Sequence, residues 1–302
     1  MNLDSHNHHD AARPGVGQAL ALLGIFLALQ TGMIVPLVVF SMFRDRSVAL
    51  PVSGMGVAGV VALVGTVWLG TFICQVPWRQ LVRTGPLPGR FLPAVSVLSL
   101  GAIVLASEVE NLTRFFLPMS GELAASLAKM LDIAGSPLAA GLLLVVVAPV
   151  SEELLCRRWL LGSLLRRLSP AAAIPLSALI FGAMHMNPWQ FFYTTGLGVG
   201  LGFVYWRTRS VWLCIFSHAL NNGISFALAV IQPDFAGVSA SYAEPVTFQP
   251  WWVDVSAVGI VLLGVAWLWR QSEGFLVLPQ AAPGELPPVL PAEVPPVIGA
   301  AI

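Results

Sequence analysis

The sequence predicts an all-α polytopic membrane protein with about eight transmembrane helices. Two observations carry this: a shortage of charge, and a ladder of long apolar runs. Of 302 residues, 57% are hydrophobic and only 10% are charged. A soluble domain carries about 25% charged residues, so this chain lacks the charge to cover a water-facing surface. The mean hydropathy of +0.81 agrees. Net charge is zero, so the total points to no acidic or basic partner, and a nucleic-acid-binding role is excluded. Cys74, Cys156 and Cys214 lie in or beside apolar runs without paired spacing, which reads as buried small hydrophobes.

A spanning helix needs about 20 mostly apolar residues. Eight runs qualify, roughly over 17–42, 53–76, 91–107, 137–156, 171–187, 190–206, 211–231 and 251–269. The fourth keeps helical spacing through LLGSLLRRL to about 168, where Ser169-Pro170 stops it. Between the third and fourth, EVENLTRFFLPMSGELAASLAKMLDIAGS mixes polar and apolar residues at helical spacing and predicts an interfacial amphipathic helix. The glycine pattern Gly196 to Gly202 lies within a span and follows no strand, so it predicts small-residue helix packing. The chain divides into a polar N-terminal tail (1–16), a helical domain (17–270) whose core, at about 137–231, holds the candidate residues taken up below, and a Pro-rich flexible tail (271–302). The opening residues, with His6, His8 and His9, carry no secretory signal and read as a mobile end.

Basic residues test the span count. With the N-terminus inside, eleven arginines reach one side: Arg13, Arg79, Arg83, Arg90, Arg157, Arg158, Arg166, Arg167, Arg207, Arg209 and Arg270. The other side receives four: Arg44, Arg46, Arg114 and Lys129. Lys and Arg favour cytoplasmic loops, so both termini are expected in the cytoplasm.

An ionisable group in the bilayer costs roughly 2.5–3.5 kcal/mol on insertion scales, so such groups persist mainly where they act. Beyond the N-terminal tail the only histidines are His185 and His218, both in apolar spans. The other charges near mid-span belong to SEELLCRR. Glu153 and Arg157 are four apart on one helix face, acid before base, and predict an intrahelical pair. Glu152 points about 100° away with Cys156 one turn on, which leaves it the free carboxylate. Phe181 and His185 share a face, as do His218 and Asn222. The fold class is therefore completed by an intramembrane active site.

Three chemistries fit. Glu152 serves as general base to a water held by His185, while His218 and Asn222 stabilise an oxyanion. Or Glu152, His185 and His218 bind Zn²⁺ with one position open to water. Or the same groups relay protons or bind substrate in a transporter. A purely structural polar network is the bland alternative for any one of them, less so for a converging set. No Ser–His spacing, GxSxG elbow or HExxH helix competes.

Three motifs resemble the CPBP family of CAAX-prenyl-protease and bacteriocin-processing membrane endopeptidases, also called ABI proteins. APVSEELLCRRWL is similar to its EExxxR motif, FGAMH (Phe181 to His185) to FxxxH, and HALNN (His218 to Asn222) to HxxxN. The likeness covers about Gly141 to Ala229, with Arg158 and Trp159 standing where many members have a small residue. It implies intramembrane proteolysis of a membrane-associated protein or peptide, with Glu152 catalytic and His185 activating water. His218 and Asn222 would form the oxyanion site, with Glu153, Arg157 and Phe181 in support. A glutamate-type mechanism without cofactor is favoured over a zinc version, and a non-catalytic binding, immunity or transport protein on this scaffold is the alternative. The arginine preference suggests a bacterial inner membrane. Glu152 and His218 reach one height only if a 157–170 hairpin projects into the cytosol, so a cytosolic mouth marked by Arg157, Arg158, Arg166 and Arg167 is expected.

Overall fold

The computed structural model describes residues 14–45, 52–85, 87–122, 136–231, 237 and 246–273. The described chain is helical, with no strand among the described residues. Its long helices are α1 (Val16–Asp45), α2 (Val52–Cys74), α3 (Leu92–Phe116), α4 (Pro137–Leu164), α5 (Pro170–Met184), α6 (Pro188–Thr208), α7 (Val211–Ile231) and α8 (Trp251–Ser272). All but α5 and α6 are long and apolar enough to cross a membrane. The chain is an all-α polytopic membrane protein, and the eight runs read from the sequence each become a helix.

One boundary is corrected. EVENLTRFF is the last stretch of α3, continuous with its apolar part, not the start of an interfacial helix. Val109, Leu112, Phe115 and Phe116 are exposed there while Asn111, Thr113 and Arg114 are buried, so the inward face is the polar one. Residues 123–135, the rest of the expected amphipathic helix, lie outside the described residues, as do 1–13 and 274–302 of the two tails.

Successive helices run up and down. Small residues set several contacts, as expected where lipid supplies no hydrophobic drive between helices. A Cβ on Gly198 would stand 3.0 Å from the Ala178 backbone, and one on Gly202 2.9 Å from Ile174, which seats α6 on α5. Gly196 and Gly200 face open space, so the glycine pattern packs on one side only. The α3–α8 contact is closer still: a Cβ on Gly264 would lie 2.6 Å from the Leu98 nitrogen, and one on Gly101 2.8 Å from the Ala257 oxygen.

α4 runs between α2 and α7 and departs from α geometry twice, at Leu143–Val147 and Leu154–Leu161, where π turns replace α turns. Pro149 gives a reason for the first. It has no N–H, and its ring crowds the carbonyl one turn back. Ala148 N–H bonds Leu143 O, five residues back. Continuing that register, Leu144 O would look to Pro149, which has nothing to give.

Candidate active site

The core of the site is a buried chain of charge. Glu153 on α4 meets Arg157 Nε at 3.0 Å, with side chains 0% and 1% exposed. Its other oxygen lies 2.8 Å from His218 Nδ1 on α7. A carboxylate paired with arginine accepts, so His218 Nδ1 carries the proton and the imidazole turns Nε2 outward. That nitrogen stands 4.0 Å from Glu152 Oε2. Two helices are thus joined by a relay running Arg157, Glu153, His218, with Glu152 at its far end.

Phe181 packs at the centre of this set. The Arg157 guanidinium lies over its ring at 4.4 Å. The ring meets His185 edge-on at 5.2 Å and His218 at 5.8 Å between centroids. Fully buried itself, Phe181 keeps water from the Arg157 side and fixes the separation of the two imidazoles. His185 closes the end of α5 and sits 2.9 Å, through Nδ1, from the Phe181 carbonyl. A carbonyl only accepts, so Nδ1 is again the protonated nitrogen and Nε2 is left for other work.

Asn222 donates from Nδ2 to Leu144 O at 2.8 Å. This is the carbonyl that Pro149 leaves without a donor, so the third motif caps the π turn of the first. An amide carries two N–H groups, and the second remains for a ligand. Glu152 is the contrasting member: its side chain is 21% exposed, and Oε2 is buried without a hydrogen-bond partner.

The structure therefore brings Glu152, Glu153, Arg157, Phe181, His185 and His218 into one set, with Asn222 one turn beyond His218. Glu153 pairs with Arg157 as the spacing predicts, but it also holds His218, which helical spacing within one segment could not reveal. Tyr193, which the sequence did not single out, places its hydroxyl within electrostatic range of Glu152 and Glu110 while bonding the Gln190 side chain. Among the described residues, no group of three His, Cys, Asp or Glu side chains is arranged to hold a metal ion.

The expected cytosolic hairpin is corrected too. Arg157 is interior, bonded to Glu153, and Arg158 is half-buried, so neither marks an interface. Gly162 packs against the Tyr205 hydroxyl near the end of α6, which keeps 157–164 inside the bundle. The more open groups, Glu152, His185 and Asn222, lie toward the Met186–Asn187 turn. Exposed Arg166 and Arg167 lie at the opposite end of α5, about 22 Å away at helical rise.

A helical membrane protein with a buried Glu153–His218 pair, Glu152 beside it and His185 across Phe181 is the class so defined. Residues 134–224 match the family described as Type II CAAX prenyl endopeptidase Rce1-like, in agreement with the resemblance carried by the three motifs. The chain is also 31% identical over 77 residues to a Bacillus subtilis (strain 168) protein named "Putative membrane peptidase YdiL". That match covers 26% of this chain and 32% of the relative, so it spans about a third of the relative's length. No solved structure matches.

Proposed function

We propose that this chain is an intramembrane endopeptidase that hydrolyses a peptide bond of a membrane-associated protein or peptide. Glu152 takes the proton from a water that His185 Nε2 holds, and the resulting hydroxide attacks the scissile carbonyl. The oxyanion is met by His218 Nε2–H and the second amide hydrogen of Asn222. With its Nδ1 proton already given to Glu153, the ring then donates from both nitrogens. Glu152 then passes its proton to the leaving amine. Glu153 and Arg157 orient His218, and Phe181 spaces the imidazoles.

The observation that carries this reading is Glu152, half-buried and with Oε2 4.0 Å from the Nε2 of a histidine whose other nitrogen is held by Glu153. A carboxylate at that distance can share a water with the imidazole, as a general base must. The metal-free reading is the one proposed; Glu152, His185 and His218 are the set that a zinc version would need. Chelation by 1,10-phenanthroline should leave cleavage intact, and loss restored by Zn²⁺ alone would favour the metal version.

Orientation follows from charge. Seven exposed arginines, Arg79, Arg83, Arg90, Arg166, Arg167, Arg209 and Arg270, lie in or next to connections that alternate crossing of the eight helices would bring to one side. With that side in the cytoplasm of a bacterial inner membrane, both termini are cytoplasmic and the half-open groups face the other leaflet.

The deciding experiment compares protein termini in cells carrying the wild-type chain and Glu152→Gln at equal levels. New termini only with the wild type establish proteolysis and name the substrate. Identical termini would move the same residues to a binding or transport role.

A further inference from the structure

We propose that Ser99, on α3 and outside the matched region 134–224, is a positioning residue for His218, acting through Ser217. The proposal rests on the reading of His218 as part of the reaction centre.

Ser99 Oγ and Ser217 Oγ are 2.7 Å apart, and both residues are buried. Either could donate on distance alone. However, Ser99 also sends its hydroxyl hydrogen to Val95 O at 2.9 Å. A hydroxyl has one hydrogen, so the bond between the helices is made with that of Ser217.

Ser217 bonds outside its own helix, as Ser107 and Ser177 also do. Thr66, Ser99, Thr113, Ser151, Thr194, Thr208, Ser256 and Ser272 each bond the carbonyl four residues back in their own helix. That local bond is the usual choice for a helical hydroxyl. Ser217 reaches across to α3 instead.

The consequence is an indexing of α7. Ser217 and His218 are successive residues, so they leave the helix about 100° apart. One is fixed on α3, the other on Glu153 of α4 at 2.8 Å. Turning α7 about its axis breaks both. The α3 end of this ruler is itself immobile. Leu98 and Gly101, flanking Ser99, are the points where α3 and α8 touch most closely, with virtual Cβ contacts of 2.6 Å at Gly264 and 2.8 Å at Gly101. Helices α3 and α8, which lie beyond the matched segment, thus set the rotation of the helix that carries the third motif.

The test reads the His218 ring directly and needs no substrate. Full-length protein with ¹⁵N-labelled histidine is prepared in detergent micelles, and the His218 ring nitrogens are assigned by their loss in His218→Gln. The wild type should show a proton fixed on Nδ1. Ser99→Ala and Ser217→Ala should each reduce the ratio of rings whose Nδ1 proton is held to rings whose Nδ1 proton is released by about threefold or more, the typical worth of an interhelical hydrogen bond in a membrane. The double variant should add nothing further, since both singles remove one bond.

A melting temperature that falls while the His218 signals stay as in the wild type, in both single variants, would assign the pair to packing and overturn the proposal. Additive effects in the double variant would overturn it too. The protease reading fails separately, through unchanged termini with Glu152→Gln. A changed ring signal in Ser99→Ala would still stand in that case.

Discussion

The α3–α8 and α4–α7 interfaces are both helix pairs inside an apolar bundle, and they are joined by opposite means. α3 and α8 meet through glycines, with Gly264 against the Leu98 backbone and Gly101 against Ala257 and Val261. Between α4 and α7 run Arg157, Glu153 and His218, with Asn222 on the Leu144 carbonyl. Close backbone approach holds helices together without desolvating charge. Buried ions do so at a penalty of several kcal/mol each, roughly offset by their mutual attraction and hydrogen bonds. A chain able to build the first kind of joint has no structural need of the second. The difference is what the proposed function would explain, since it gives the charges of α4 and α7 a chemical use.

The comparison breaks most visibly at Glu153. Glu153→Ala strands the Arg157 guanidinium and frees His218 Nδ1 at once, and should destabilise the fold by about 3–5 kcal/mol, read as a loss of yield and of thermal stability in detergent. Glu152→Gln belongs to the same motif but should leave the melting temperature within a few degrees while lowering cleavage by roughly 100-fold or more, the usual share of a general base. Equal loss of stability in both variants would erase the distinction between the two glutamates. On the glycine side, Gly264→Val forces α8 away from Leu98 and should cost about 1–3 kcal/mol through overpacking, measured by the same melting experiment. Smallest is Trp189→Phe, which removes the indole bond to Leu117 O at 2.6 Å that ties α6 to the end of α3. It should cost about 1 kcal/mol, and a larger loss would mean that this tie also shapes the mouth.

Much of this was legible in the sequence, because apolar run length and helical spacing are local properties. The eight helices follow from run length, and the Glu153–Arg157 pair from a four-residue spacing. What stayed hidden depends on partners distant in the chain or on departures from 3.6 residues per turn. The Glu153–His218 bond joins residues 65 apart. The continuation of α3 through Glu108 to Phe116 was masked because its polar side chains find partners inside, as Asn111 does on Glu108 and Gly237. Arg207 counted as a loop charge, yet it is buried. Its guanidinium bonds Ser272 Oγ and Trp269 O and lies 4.0 Å from the Trp269 ring, closing the end of α8.

The π turn at Leu143–Val147 makes α4 a helix with a reading frame. A wide turn holds one more residue than the α turn it replaces, so everything beyond it stands about 100° from where an unbroken α-helix would put it. Which of two neighbouring glutamates meets His218 is therefore decided several residues upstream, by a proline that takes part in no chemistry. Pro149→Ala, by restoring the missing N–H, would give the helix a second legal frame. The pair would then be out of phase with the histidines, although every catalytic side chain was still present.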